Sequence, residues 1–201
     1  MYELIILSIL MRVPAYGYLL AKIIKDIIGP WATVSNGTLY PLLARLERAG
    51  LITASDDEDR KAPGDRHARI FTITEAGRRR FHQLMMNTST SHGEYEKLFR
   101  LKVRYLYLLK PRERLHLINH YINYCQAQVL YFKSEAEDFV HEHEANDIYA
   151  ESTLDVMQHR ETMWQTELDW VIHVRTRETE RIEQEMTQQG KSSVEEGAPE
   201  T

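Results

Sequence analysis

Cysteine is almost missing from this chain. One residue in 201, Cys125, has no second thiol to pair with, so a disulfide-stapled fold is excluded, as is a zinc module that draws its four ligands mainly from thiolates. A reducing cytoplasm is the expected setting. Nine glycines and six prolines are too few for a collagenous or low-complexity chain. Long apolar runs are lacking too. Leu4–Met11, interrupted by Ser8, falls far short of the roughly 20 residues that span a bilayer, and no basic residue precedes it as in a secretory signal. It reads as a buried helix, and no membrane partner is expected. Catalytic signatures are also absent. With no phosphate-cradling glycine loop, no glycine-flanked nucleophilic serine and no His-Glu-x-x-His, neither an enzyme nor a bound cofactor is expected.

What is present is an ordinary folded composition, 43% hydrophobic and 27% charged, at a length that suits one larger domain or two small ones. The net charge of −5 speaks against a polyanionic partner until its placement is examined. Residues 1–82 carry 12 Lys+Arg against 9 Asp+Glu, and the remainder 13 against 21. A basic N-terminal segment is thus joined to an acidic one, an arrangement that orients a protein on a polyanion.

After the buried helix, Pro14 marks a break. Apolar residues at Tyr16, Leu19, Leu20, Ile23, Ile24, Ile27 and Ile28 alternate spacings of three and one, which predicts an amphipathic second helix ended by Gly29-Pro30. Leu39, Leu42, Leu43 and Leu46 mark a third helix that stops at Gly50. Ser35 or Thr38 is its cap, and Pro41 favours the later one because proline costs no helical bond only in the first turn. Leu51–Ser55 and Arg69–Thr74 flank a polar stretch holding Pro63-Gly64 and predict a hairpin with a long loop. Thr74 then caps a fourth helix to about Met86, and 87–94 is a polar connector.

Beyond it the pattern predicts a short helix near Glu96–Lys110, a long one opening at Pro111 and another from about Asn146 to Met186, with 187–201 a disordered tail. Leu115, Ile118, Ile122, Cys125, Val129, Phe132, Ala136 and Phe139 form a seam of period 3.5 that wants a partner helix. Trp164, Leu168, Val171 and Val174 offer a matching face. Either an antiparallel pair within the chain or a dimer bundle satisfies both.

The expected fold is therefore mainly α: a winged helix-turn-helix domain with a small β-hairpin wing over 1–86, then an α-helical dimerisation and effector domain over 95–186. In that layout the third helix enters the major groove. Opposite its leucines lie Gly37, Pro41, Ala44 and Arg48, flanked by Thr38, Arg45 and Tyr40. Small residues let the axis approach base edges, while Thr, Tyr and Arg reach bases and phosphates. Lys22, Arg60, Lys61, Arg66, His67 and Arg69 are the expected phosphate contacts. The wing opens on Asp56-Asp57-Glu58-Asp59, which phosphate repels, so only Arg60, Lys61, Arg66, His67 and Arg69 are left for the DNA side; the loop is expected to be a disordered, solvated segment in the free protein that orders only on DNA.

The run Ser35-Asn36-Gly37-Thr38-Leu39-Tyr40-Pro41-Leu42-Leu43, with Arg45-Leu46-Glu47 and Gly50-Leu51-Ile52, resembles the recognition-helix signature of PadR-type transcriptional regulators. Tyr16-Gly17-Tyr18 is similar to that family's second-helix motif, and Phe71-Thr72-Ile73-Thr74-Glu75-Ala76-Gly77 to its wing-to-helix junction. The resemblance covers residues 2–80. Residues 95–182 resemble the family's helical dimerisation region only in length and pattern. It implies a homodimeric regulator of double-stranded operator DNA, usually a repressor, in some members relieved by small aromatic ligands. It adds Tyr16, Ser35 and Asn36 to the DNA-binding candidates. For dimerisation the candidates are Leu115, Ile118, Ile122, Val129, Phe132, Trp164, Leu168 and Val171.

Twelve of nineteen aromatics fall between Tyr95 and Trp170. That excess suits core packing or a flat ligand, for which Tyr121, Tyr124 and Trp164 are the candidate effector contacts. His116 with His120, and His141 with His143, have no acid or thiol at a recognised ligand spacing, so no metal is expected. Cys125 on the seam reads as inert packing. Two rival functions remain: a winged-helix protein-interaction module without DNA binding, and a metal or redox sensor.

Overall fold

The computed structural model describes residues 1–29, 36–56, 69–89, 92–142 and 148–195, with backbone alone for 36, 56, 92, 142 and 189–195. Elements run α1 (Tyr2–Leu10), β1 (Ala15–Tyr16), α2 (Gly17–Ile28), α3 (Asn36–Arg48), β2 (Ile52–Asp56), β3 (Arg69–Ile73), α4 (Glu75–Met86), α5 (His92–Val103), a 3-10 turn (Leu106–Leu108), α6 (Pro111–Glu142) and α7 (Ile148–Glu195). They form two compact units, Met1–Leu108 and Leu109–Thr201. Helices dominate, as the periodicities predict, and a small sheet forms the wing.

In the first unit α1 is apolar on every side and is the central element. Leu4, Ile5, Ile6, Leu7, Ile9 and Leu10 are all buried, as a helix without a polar face must be. Ser8, which interrupts the run, is also fully buried and donates its hydroxyl to Leu4 O at 2.6 Å, so it leaves no polar group unmatched. Leu20 and Ile24 of α2, Leu39, Leu43 and Leu46 of α3, and Phe81 and Met85 of α4 complete this core. Burial of each such side chain contributes about 1.5–3 kcal/mol.

The wing is a three-stranded antiparallel sheet in the order β1-β3-β2, one strand more than the expected hairpin. Two-residue β1 is too short to show a period of two. It pairs Ala15 with Phe71 and Tyr16 with Ile70, while β2 pairs Ala54 with Phe71. Phe71 thus has an alanine beside it on either strand, which leaves room for its ring in the core.

Three further expectations change. Thr38 lies inside α3 rather than capping it, since the helix begins at Asn36 and Pro41 falls past its first turn. The bond lost there is offset by the leucine stripe, of which Leu39, Leu43 and Leu46 are at most 2% exposed while Leu42 is half-buried. The helix expected at Glu96–Lys110 starts earlier and breaks into α5 and the 3-10 turn. Finally α7 runs past Met186 to Glu195: no proline interrupts the stretch, and Gln188, Gln189 and Lys191 favour helix there, although Gly190, Ser192 and Ser193 do not. As predicted, α3 ends on Gly50, at φ 67. Gly50 N donates to Glu47 O and Leu51 N to Leu46 O, so the last carbonyls of the helix are satisfied.

In the second unit α6 and α7 pair antiparallel within one chain: residues rising along α6 meet residues falling along α7. Arg114 meets Glu178 and Glu185, Tyr121 meets Glu167, and Phe132 meets Arg160. Ile118, Ile122 and Cys125 of the predicted seam are buried, as are Leu168, Val171 and Val174 opposite. Arg114 of the same pair is buried. It is held by Leu109 O at 2.9 Å and by two contacts to the Glu185 carboxylate at 3.0 and 3.1 Å. No helix among the described residues is long and apolar enough to cross a membrane.

Candidate nucleic-acid interface

The leucine stripe that buries one side of α3 decides which side faces outward. Gly37, Thr38, Tyr40, Pro41, Ala44, Arg45 and Arg48 are all exposed, the face the sequence pattern selects. Arg48 Nε donates to Ala44 O at 3.3 Å, which lays that side chain along the helix, while Arg45 projects beside it. Two arginines next to Gly37, Pro41 and Ala44 give a helix able to approach base edges closely and still reach phosphates.

The seat of α3 is built by α2. A methyl group placed on Gly17 would lie 3.1 Å from both Cε1 and Oη of Tyr40, so the Tyr40 ring rests against the bare backbone at the start of α2. Here glycine is favoured by close approach rather than by an unusual φ, since an added methyl would make the Tyr40 ring give way by a few tenths of an ångström. Tyr16 and Tyr18 stack with centroids 5.6 Å apart and flank the same point. Tyr16, Tyr40 and the Gly17 backbone therefore come together, and Lys22 is exposed one turn further along α2.

The wing is tied to α3 by a contact that sequence reasoning missed. Arg69 Nη2 lies 2.7 Å from Glu47 Oε1, and the Arg69 guanidinium sits 5.7 Å from the Phe71 ring centroid. Arg69 was expected at phosphate; the structure gives it a carboxylate partner on α3, with about half of the side chain still exposed. No short-range pattern links residues so far apart in sequence. Ser35, Arg60, Lys61, Arg66 and His67 lie outside the described residues, as does the Asn36 side chain.

Thr74 joins wing to α4 and behaves as predicted. Its Oγ1 accepts from Gly77 N at 3.0 Å and donates to Gly50 O at 2.6 Å, so one hydroxyl caps α4 and holds the end of α3. Gly77 in turn lies directly against Leu51 O.

In the second unit the effector candidates are packed together. Tyr121 is fully buried and donates its hydroxyl to Glu167 at 2.9 Å. Tyr124 stacks on it with centroids 5.8 Å apart and meets Trp164 edge-on at 5.5 Å. Of the dimerisation candidates, Ile118, Ile122, Leu168 and Val171 are buried within the single chain, while Leu115, Val129, Phe132 and Trp164 are half-buried. Among the described residues no group of three or more His, Cys, Asp or Glu is placed to hold a metal ion.

Comparison with known proteins places this arrangement. The chain is similar to PadR of Bacillus subtilis in complex with operator DNA, at 16% identity over 88% of this chain and 96% of that one, with a TM-score of 0.40. The same protein in complex with p-coumaric acid matches at 16% identity, over 88% and 98%, with a TM-score of 0.37. A transcriptional regulator from Clostridium thermocellum is 31% identical over 40% of this chain and 75% of its own, with a TM-score of 0.36. No curated protein matches the chain. Residues 6–83, which span the buried α1, the exposed α3 and the wing, match the transcriptional regulator PadR-like family. The chain therefore belongs to the PadR-like family of transcriptional regulators.

Proposed function

We propose that the chain represses transcription as a homodimer on a symmetric duplex operator, and that a small ligand relieves the repression. The observation that carries this reading is the exposed face of α3, where Arg45 and Arg48 flank Gly37, Pro41 and Ala44 while Leu39, Leu43 and Leu46 opposite are buried. Thr38, Tyr40 and Arg45 are assigned to DNA from α3. Tyr16, Lys22, Ser35, Asn36, Arg60, Lys61, Arg66, His67 and Arg69 are assigned to the surrounding backbone. Residues 1–86 form the DNA-binding part of this scheme and 95–186 the dimerisation part. Apolar side chains left exposed on α6 and α7, among them Leu130, Tyr131, Val156 and Met163, support a second copy as the partner of that helix pair, and two-fold symmetry then matches a palindromic operator.

The partners assigned here are of the two kinds seen with Bacillus subtilis PadR, operator DNA and a small aromatic acid. The test is duplex binding by the full chain after its genomic sites are mapped. Affinity should fall steeply with added salt, and Arg45→Ala should weaken binding by about 1–3 kcal/mol while the fold stays intact. A folded protein that shows no salt-dependent duplex binding would sink the reading and leave the protein-interaction alternative.

A further inference from the structure

We propose that Glu47 is a positioning residue for duplex binding: its carboxylate holds the Arg69 guanidinium at the junction of α3 and the wing, where Arg69 meets a backbone phosphate beside the groove that α3 enters. It rests on the DNA half of the function proposed above, and it gives Glu47 a part in binding without contact to DNA.

Glu47 is the one acid of α3, and its place there is costly. It stands in the last turn, where the carbonyl end of the helix disfavours a negative charge. It is also two residues from Arg45, on the helix that approaches phosphates. Helix stability gives no reason for a carboxylate at this point; the pair with Arg69 does. Arg69 Nη2 lies 2.7 Å from Glu47 Oε1, and the guanidinium lies 5.7 Å from the ring centroid of Phe71, itself buried. The Arg69 backbone is fixed as well. Its strand β3 is the middle one, with Arg69 opposite Asp56 of β2 and Ile70 opposite Tyr16 of β1. Arg69 therefore stands at the end of the sheet that carries Tyr16, another residue assigned to the DNA backbone.

A guanidinium carries five N–H donors in a fixed fork. Among the described residues Glu47 is the only acceptor of a hydrogen bond from Arg69, and 46% of the Arg69 side chain is exposed, so the rest of the fork is open to a phosphate oxygen. Without Glu47 the DNA itself must order this long side chain, which lowers affinity by about two- to twelvefold. Simple repulsion gives the opposite sign, since deleting an acid close to phosphate should tighten binding. A carboxylate that held Arg69 back from the DNA would also give tighter binding on its removal. The sign of the effect thus separates positioning from both.

The experiment measures operator binding by the full chain, on a mapped genomic site, over a series of salt concentrations. Glu47→Ala should weaken binding by about threefold or more, and Glu47→Gln, which keeps an accepting Oε1 without the charge, should weaken it less. Arg69→Ala should weaken binding by about fivefold or more and reduce the salt slope by about 1; Glu47→Ala should lower the slope in the same direction. Once Arg69 is replaced by alanine, removing Glu47 as well should weaken binding no further. Melting temperatures should stay unchanged throughout, since a pair this exposed contributes little to stability. The proposal is overturned by equal or tighter binding of Glu47→Ala, by an equal loss on removing Glu47 whether or not Arg69 is present, by affinity lost with the salt slope intact, or by affinity lost only together with thermal stability. An unsubstituted chain that binds no duplex sinks the proposed function as well; one whose duplex binding is unchanged in Glu47→Ala sinks this assignment alone.

Discussion

Substituting Gly77 by alanine tests how tightly α4 is docked on the turn that ends α3. In a solvent-facing helix the change would stabilise by up to about 1 kcal/mol through helix propensity. Here the new methyl would collide with Leu51 O and lie 2.7 Å from Ile73 Cγ1, against an ordinary carbon contact of roughly 3.5–4 Å. Leu51 O has little freedom to yield, since Thr74 N and Thr74 Oγ1 lie 3.1 and 3.0 Å from it. The start of α4 must instead move by about 1 Å. Overpacking of this kind costs about 1–3 kcal/mol. Disturbing the Thr74 cap adds about 1 kcal/mol, and the strained bond to Leu51 O about 0.5–1.5 kcal/mol. After the propensity gain is subtracted, Gly77→Ala should destabilise the first unit by about 2–4 kcal/mol. Hydrogen exchange at the α4 amides, Phe81 and Met85 included, reads that unit directly. Gly93→Ala in α5, where nothing lies within 4 Å of the new methyl, is the control and should shift protection by less than about 1 kcal/mol. Equal or greater protection in Gly77→Ala would refute the close-approach argument.

Gly17→Ala should behave differently: Tyr40 is 48% exposed and can swing aside, so stability should change by less than about 1 kcal/mol while operator affinity falls. Loss of stability with affinity intact would contradict this. Arg114→Ala leaves Glu178, whose side chain is 9% exposed, with Arg181 at 2.7 Å as its remaining cation, and should cost about 1.5–3 kcal/mol in urea unfolding of the helix pair through the lost charged hydrogen bonds to Glu185 and Leu109 O; an unchanged unfolding midpoint would show that these bonds contribute nothing. Lys102 is buried, donates to Asn87 O at 2.6 Å, and is pushed down by desolvation to about 8 from its ordinary 10.5. The unfolded chain therefore holds this proton at a pH where the folded chain has released it, so stability should rise between about pH 8 and 10.5, by at most about 1.4 kcal/mol per pH unit. Lys102→Met should remove that rise, and parallel pH profiles for the two proteins would count against it.

Much of the fold was legible because its signals are local. The leucine spacing of α3, Gly50 at its end, the Thr74 cap and the opening of α6 at Pro111 each act within one or two helical turns. The exposed face of α3 was equally readable, being the complement of its buried stripe. What escaped depends on contacts between distant segments. β1 exists only because β3 offers it a partner, the Glu47–Arg69 pair joins helix to wing, and Gly17 matters because Tyr40 arrives beside it. The seam of α6 was visible, but whether its partner lay in the same chain was not, since one heptad stripe fits either solution.

A stripe that repeats every seven residues has a hidden ambiguity: slid by one repeat, it fits its partner almost as well. Arg114 removes that degeneracy in the α6–α7 pair. It reaches Glu178 and Glu185, themselves one repeat apart, while anchored to Leu109 O at the foot of α6. Sliding α7 by one repeat either way would leave it only one of the two carboxylates. The pair is thus a ruler with a single zero mark. Axial slippage is closed to it as a signal, and motion passing through these helices must take the form of tilt or rotation with their register kept.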